Sequence, residues 1–277
     1  MPKTNQPWRL FVDTGGTFTD CLAIAPDGRR LRRKILSSDE APLQAARLIT
    51  NTAEGPLPPI QLRLGTTRGT NALLEQKGAD VVFFVSGGFG DLLRIGDQRR
   101  PDLFTLNVEK TPPLHAAVIE VPGRLDARGK EIEPVDLEIV RSAAGQQFEK
   151  GRNVAAVCLL HSHQNGTHEQ AVKSCLEAIG YEYISISSEI APFIKAVPRA
   201  ETVIVDAYLA PVLGEYLSQI TSAIDEAGLR IMTSAGGLVS RNGYRAKDSL
   251  LSGPAGGIVG AAAVAARAGL DRVIAFD

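Results

Sequence analysis

Cysteine is scarce in this 277-residue chain: Cys21, Cys158 and Cys175 stand far apart and form no CxxC pair. Such an odd, scattered set argues against a disulfide framework and fits a reducing compartment. Excess charge of one sign is also missing, with 30 basic against 31 acidic residues. That balance gives no reason to expect a nucleic-acid or membrane surface. Long hydrophobic runs are absent: the longest small-apolar stretch, Ile258 to Ala266, is too short to span a bilayer. The polar stretch from Met1 to Trp8 carries no signal-peptide core. The expectation is a cytoplasmic chain with a real core, since 44 % of its residues are hydrophobic. Its length suits one large domain or two ordinary ones.

What is present centres on Asp13-Thr14-Gly15-Gly16-Thr17-Phe18-Thr19-Asp20. The apolar run Leu10-Phe11-Val12 precedes it and Cys21 to Ala25 follows, so the segment reads as a turn between two strands. Paired glycines permit backbone conformations that a side chain would obstruct. Successive N–H groups in such a turn can form an anion-binding concavity, and the hydroxyls of Thr14, Thr17 and Thr19 can add donors. Asp13 and Asp20 bracket the turn. Carboxylates repel bare phosphate, so their presence implies an intervening cation, most simply Mg2+ held through water. The pattern predicts a phosphate-binding hairpin for a nucleotide; the competing reading is a glycine turn that only joins two strands.

Residues 9–37 read as three antiparallel strands, the second turn being Asp27-Gly28. The basic knot Arg29 to Lys34 falls on the third of these and reads as a solvated edge that discourages strand pairing. Ala41 to about Glu54 is helix-like, Gln61–Leu64 a short strand, Ala72–Lys77 a helix and Val81–Val85 a strand buried on both faces. This order predicts a mixed α/β sheet rather than a fully parallel one. Ser86 to about Pro113 is a long loop-rich connection, the kind that is functional or disordered. Further on come a hairpin around Asp126 to Gly129, a helix capped by Asp136, a strand at Val154–Leu160, a helix at Thr167–Ile179 and a strand at Tyr183–Ser187. A long helix is expected from about Glu201 to Ala227, then a strand at Leu229–Thr233. His161, His163 and His168 crowd together, but no fourth ligand pattern accompanies them, so polar loop caps are the preferred reading over a metal site.

Ser252-Gly253-Pro254-Ala255-Gly256-Gly257 opens a helix rich in small residues. Glycines there either admit a ligand to free N–H groups or let the helix pack closely on a neighbour. Finally, Arg272 to Asp277 repeats the pattern of Arg9 to Asp13: an arginine, an apolar strand and an aspartate. The expectation is a chain cut where a second, duplicated domain begins.

These blocks together resemble the hydantoinase A/5-oxoprolinase family. The resemblance rests on Asp13 to Asp20, on Gly65-Thr66-Thr67 with Thr70 to Glu75, and on Gly88 to Leu93 with Arg100-Pro101-Asp102-Leu103-Phe104. Ser187-Ser188-Glu189, Asp206 to Leu209 and Ser252 to Gly257 follow in order, so the likeness covers nearly the whole chain. Arg68-Gly69, where valine and alanine are frequent, and His163, where an aromatic is common, depart from the pattern. The resemblance implies an actin/hexokinase-like, ribonuclease-H-like α/β fold, its mixed sheet flanked by helices, with one domain over residues 1–195. Residues 196–277 would begin a second, whose phosphate loop opens at Asp277. It implies ATP and Mg2+ as cofactors and the ATP-dependent opening of a cyclic amide such as 5-oxoproline or a hydantoin. It further implies an oligomer and a hydantoinase B-type subunit or fused region. Asp13 and Asp20 become the catalytic and Mg2+-holding candidates; Thr14, Gly15, Gly16, Thr17, Thr19, Thr66, Thr67, Asn71, Gly253, Gly256 and Gly257 become the nucleotide-binding ones. A non-catalytic ATP-binding subunit and an acetone-carboxylase-type phosphotransferase are the alternatives.

Overall fold

The computed structural model describes residues 6–97, 104–108 and 110–276. Arg100 to Leu103 and Asp277, both used in the resemblance, lie outside the described residues. The chain divides into two compact units, one formed by residues 1–77 with 212–277 and the other by residues 78–211.

The first unit opens as an antiparallel meander, β1 (Trp8–Thr14), β2 (Phe18–Ile24) and β3 (Arg30–Leu36). Helix α1 (Ala41–Thr50) follows, and its Asn51 C-cap turns left-handed before the proline-rich connection. Strand β4 (Ile60–Thr66) returns parallel to β1 and runs into α2 (Arg68–Leu74). That helix starts four residues earlier than its apolar spacing suggests. The Thr66 hydroxyl accepts the Arg68 N–H at 3.1 Å, and Gly69 fits because Ser249 closes on it: a Cβ there would lie 2.0 Å from Ser249 Oγ. An alanine at that position would collide in this packing.

The second unit is built on β5 (Val81–Ser86), buried along its whole length. After the short α3 (Leu92–Ile95) come β6 (His115–Val121), the small hairpin β7 (Arg124–Leu125) and β8 (Glu131–Glu133), and α4 (Leu137–Phe148). Asp136 caps α4 as expected, its carboxylate accepting the N–H groups of Glu138 and Ile139. Strand β9 (Val154–Cys158), α5 (Thr167–Ile179), β10 (Tyr183–Ile186) and α6 (Ser187–Ile190) complete a sheet in the order β10-β9-β5-β6. All its pairings are parallel, so of the two large sheets in the described residues only one is mixed. The continuous apolar runs of β5 and β9 are what a parallel sheet covered on both faces requires.

Helix α7 (Ala196–Thr221) begins in the second unit and ends in the first. It extends past Pro198 because a helix's first N–H groups have no intrahelical partner to lose. Strand β11 (Leu229–Met232) then joins β4 in parallel, and β12 (Leu238–Val239) joins β11 antiparallel. The first unit's sheet thus reads β12-β11-β4-β1-β2-β3, with β3 and its basic residues at an edge as expected. One face, carrying Leu10, Val12, Cys21, Leu62 and Leu64, packs on α1 and the end of α7 through Ala45, Ile49, Tyr216 and Ile220. Each large aliphatic side chain so buried contributes about 1.5–3 kcal/mol. Helix α8 (Ser252–Ala268) follows, with Pro254 in its first turn. The expected terminal strand is not formed: residues 272–276 have no regular structure, and Ile274 and Phe276 are fully exposed. An apolar run becomes a strand only through a pairing neighbour, and none among the described residues takes it.

Candidate phosphate-loop site

The register of the first sheet builds the site. Asp13 lies directly opposite Asp20 across β1 and β2; Asp13 also neighbours Gly65 on β4, and Asp20 neighbours Lys34 on β3. Gly65, Asp13, Asp20 and Lys34 therefore form one cross-strand row. Because side chains alternate along a strand, this row faces away from the packed core. Directly opposed like charges destabilise a strand pair. Each carboxylate has an outlet. Gly65 leaves space over β4, where an added Cβ would stand 2.9 Å from Asp13 Oδ1, and Lys34 Nζ donates to Asp20 Oδ2 at 2.8 Å. On the other face the adjacent row, Thr66, Thr14 and Thr19, is buried.

The glycine turn caps this hairpin. The Gly15 N–H bonds to the Phe18 carbonyl at 3.1 Å, which closes the loop. From β3's end, Ser37 steadies it: its hydroxyl donates to the Gly15 carbonyl at 2.7 Å and its N–H to the Thr17 carbonyl at 2.9 Å. Thr67 ties β4's end to β1, its N–H and hydroxyl both reaching the Thr14 carbonyl. Thr17 is exposed at the tip. Thr19 is fully buried and its hydroxyl pairs with Ser37 Oγ at 3.0 Å, so it supports the turn from behind.

Two clefts flank the hairpin. The larger, about 1560 Å³, takes in Asp13, Asp20, Thr67, Gly253, Gly256 and Gly257. The smaller, about 430 Å³, takes in Thr14, Gly15, Gly16, Thr66, Thr67 and Asn71. The candidates thus divide between two sides of one sheet end, and Thr67 borders both. At the start of α8 only Gly256 has a neighbour, Met232 at an ordinary 3.6 Å, whereas a Cβ on Gly253 or Gly257 would meet nothing within 4 Å. Close helix packing therefore does not account for these two glycines among the described residues. The donor set suits a hard divalent cation: two opposed carboxylates on an open face beside a glycine cradle.

The histidines do not converge. His168 is buried against Glu131, 2.7 Å from Nε2 to Oε2, while His163 Nδ1 accepts from the Arg199 guanidinium at 2.9 Å. Among the described residues no three ligating side chains are grouped for a metal. All three cysteines are buried and free, and burial pushes the Cys21 thiol up to about 12. Several neighbours of the candidate site escaped sequence reasoning. Lys34 was hidden in a basic run, and Gly65 and Ser37 are informative only once the strands are in register. Arg68 lines the smaller cleft, forks onto the Asp39 carboxylate and lies 5.2 Å over the Tyr216 ring. Its guanidinium holds the Asp39 carboxyl below the usual carboxylate range.

Known proteins resemble this chain in sequence and fold. The hydantoinase/oxoprolinase N-terminal region model matches residues 9–180, and the hydantoinase/oxoprolinase model matches residues 199–277. These matches part between residues 180 and 199, whereas the compact units part at 77/78 and 211/212. The 5-oxoprolinase 1 of Arabidopsis thaliana is 39 % identical over 91 % of this chain, which covers 23 % of that protein. The crystal structure of ATP-dependent caprolactamase from Pseudomonas jessenii superposes with a TM-score of 0.78 at 28 % identity, over 95 % of this chain and 41 % of that one. Nucleotide-free acetone carboxylase superposes with a TM-score of 0.79 at 23 % identity, over 94 % and 41 % respectively, a likeness of fold alone. The chain thus spans about a quarter of the length of the first curated relatives it matches. On its motifs, its fold and these matches, the chain belongs to the hydantoinase/oxoprolinase family.

Proposed function

We propose that this chain supplies the nucleotide-binding part of an ATP-dependent enzyme that opens a cyclic amide such as 5-oxoproline or a hydantoin. The observation that carries the reading is the glycine turn with two carboxylates opposed in register at its base, in a chain related to 5-oxoprolinase 1. The backbone N–H groups of Gly16 and Thr17, with the Thr17 hydroxyl, receive phosphate oxygens at the exposed tip. Gly15 shapes the turn, while Thr14, Thr66, Thr67 and Asn71 form its floor and wall. Gly253, Gly256 and Gly257 flank the same sheet end. Asp13 and Asp20 would hold Mg2+, which would supply charge neutralisation for the polyphosphate.

The chemistry follows from the substrate. A lactam carbonyl is a poor electrophile, and opening an unstrained five-membered ring is uphill. The carbonyl oxygen takes the γ-phosphoryl group and ADP departs. Water then adds to the carbonyl carbon, the C–N bond breaks as the added hydroxyl's proton passes to the amine nitrogen, and a second water hydrolyses the resulting acyl phosphate to the acid and phosphate. Such transfer depends on positioning and charge neutralisation more than on covalent protein chemistry, which suits a turn of backbone donors. The reading includes a hydantoinase B-type subunit or fused region, a cytoplasmic location, and a second family domain that starts near residue 196. Replacing Asp13 with Asn in the natural-length protein tests it. ATP turnover should fall by about 100-fold or more with folding unchanged; near-normal turnover would remove Asp13 from its role. Stimulation of that turnover by 5-oxoproline, by a hydantoin, by a ketone with bicarbonate or by none separates ring opening from its alternatives.

A further inference from the structure

The cross-strand row that carries Asp13 and Asp20 ends in a cation. Lys34 stands opposite Asp20 in register, its Nζ 2.8 Å from Asp20 Oδ2 and 5.2 Å from the centre of the Phe18 ring. Phe18 and Asp20 are two residues apart on β2, so they share a face, and Phe18 also supplies the carbonyl that closes the glycine turn. The ammonium is therefore held between the carboxylate row and the foot of the turn. Both partners are open to solvent, the Lys34 and Asp20 side chains being 58 % and 60 % exposed, so the pair costs little to separate. The neighbouring cations are placed differently. Arg32 stands in register with Leu22, and Arg63 with Phe11, one row further from the turn.

Charge explains why such a cation belongs here. Two carboxylates at the base of a phosphate turn repel the ligand that the turn is shaped to hold, and they also repel each other. Lys34 relieves both repulsions when no metal is present. A divalent ion and a polyphosphate arriving together offer each member of the pair a stronger partner: a carboxylate binds the metal, and an ammonium binds a phosphate oxygen.

We propose that Lys34 is a polyphosphate-contacting residue that exchanges partners on ligand binding, leaving Asp20 for a phosphate oxygen as Asp20 turns to the divalent ion. Phe18 keeps the ammonium beside the turn during the exchange. This rests on the nucleotide reading above.

The test is titration calorimetry on the natural-length protein with three ligands: MgCl2 alone, ATP in chelator, and Mg-ATP. In Lys34→Met, metal-free ATP should bind on the order of tenfold more weakly, because a charge-assisted contact is lost. Mg2+ alone should bind several-fold more tightly to the same variant, because Asp20 has lost its competitor. Lys34→Arg keeps the cation and should stay within about threefold of wild type for both. A merely structural lysine predicts that both affinities hold or fall together, and either result overturns the proposal. Lys34→Gln serves as a second neutral variant if the methionine variant melts early. If the wild-type protein binds neither ATP nor Mg-ATP, the nucleotide reading itself fails; if it binds and Lys34→Met matches it, only the partner exchange fails.

Discussion

The two compact units treat charge in opposite ways. In the second unit, Glu169 and Arg199 are almost wholly buried, and every polar end is engaged. Glu169 accepts from the Leu159 N–H at 2.8 Å, the Ser187 hydroxyl at 2.6 Å and the Ser188 N–H at 2.7 Å. Arg199 donates to the Leu159 carbonyl at 2.7 Å, the Phe193 carbonyl at 3.1 Å and His163. These charges fasten β9's end to α5, α6 and α7. In the first unit, Asp13 and Asp20 lie on an open sheet face, and Asp20 has one solvated partner. Buried charges with complete partner sets are too costly to disturb and hold the architecture. Solvated ones at a cleft can change partners, which is what a ligand site needs.

This contrast can be broken most severely at Glu169. Replacing it with alanine strands two N–H donors and one hydroxyl in the interior and should cost about 3–5 kcal/mol of stability in denaturant titration. A loss near that of a surface residue would show that the second unit's network is ornamental. A smaller, purely local effect is expected at Gly65→Ala. The added Cβ meets the Asp13 carboxylate at 2.9 Å, so Asp13 must move while the strand stays paired. ATP turnover should drop about tenfold while stability changes by only about 1 kcal/mol. Equal losses in both would mean that Gly65 serves the sheet rather than the site.

The smallest effect sharpens the comparison inside the second unit, where one exposed charge is nonetheless tied down. The Glu120 carboxylate accepts the N–H groups of Gly88 and Gly90 at 2.8 and 2.9 Å, and these bonds lower its pKa from the ordinary 4.5. A depressed carboxylate stabilises the folded loop above its ordinary pKa and loses that contribution as pH falls through the lower folded value. The Gly88 and Gly90 amide resonances should therefore titrate below pH 4.5 in NMR, and Glu120→Gln should abolish that step. A midpoint at or above 4.5 would disprove the tether.

Much of this was legible along the chain because its causes are local. The glycine turn, the Asp27-Gly28 hairpin, the Asp136 cap and the doubly apolar β5 each follow from a few consecutive residues and their backbone preferences. The start of α2 was not, because Gly69 reads as a weak helix residue until Ser249, far away in sequence, is seen to fill its space. Nor was the fate of the histidines: His168 finds Glu131 and His163 finds Arg199, pairings that spacing cannot reveal. The tail from Arg272 to Phe276 has a strand's composition and no strand, since pairing is a property of neighbours.

The amino-acid order alone determined the hairpin turn and its bracketing carboxylates, written within eight residues, and the family, written in blocks spaced along the chain. Only the tertiary structure decided that Gly65 and Lys34 join Asp13 and Asp20 in one row, and that the nucleotide-binding candidates divide between two clefts. Register between strands is set by packing of the whole sheet, and no single segment carries it.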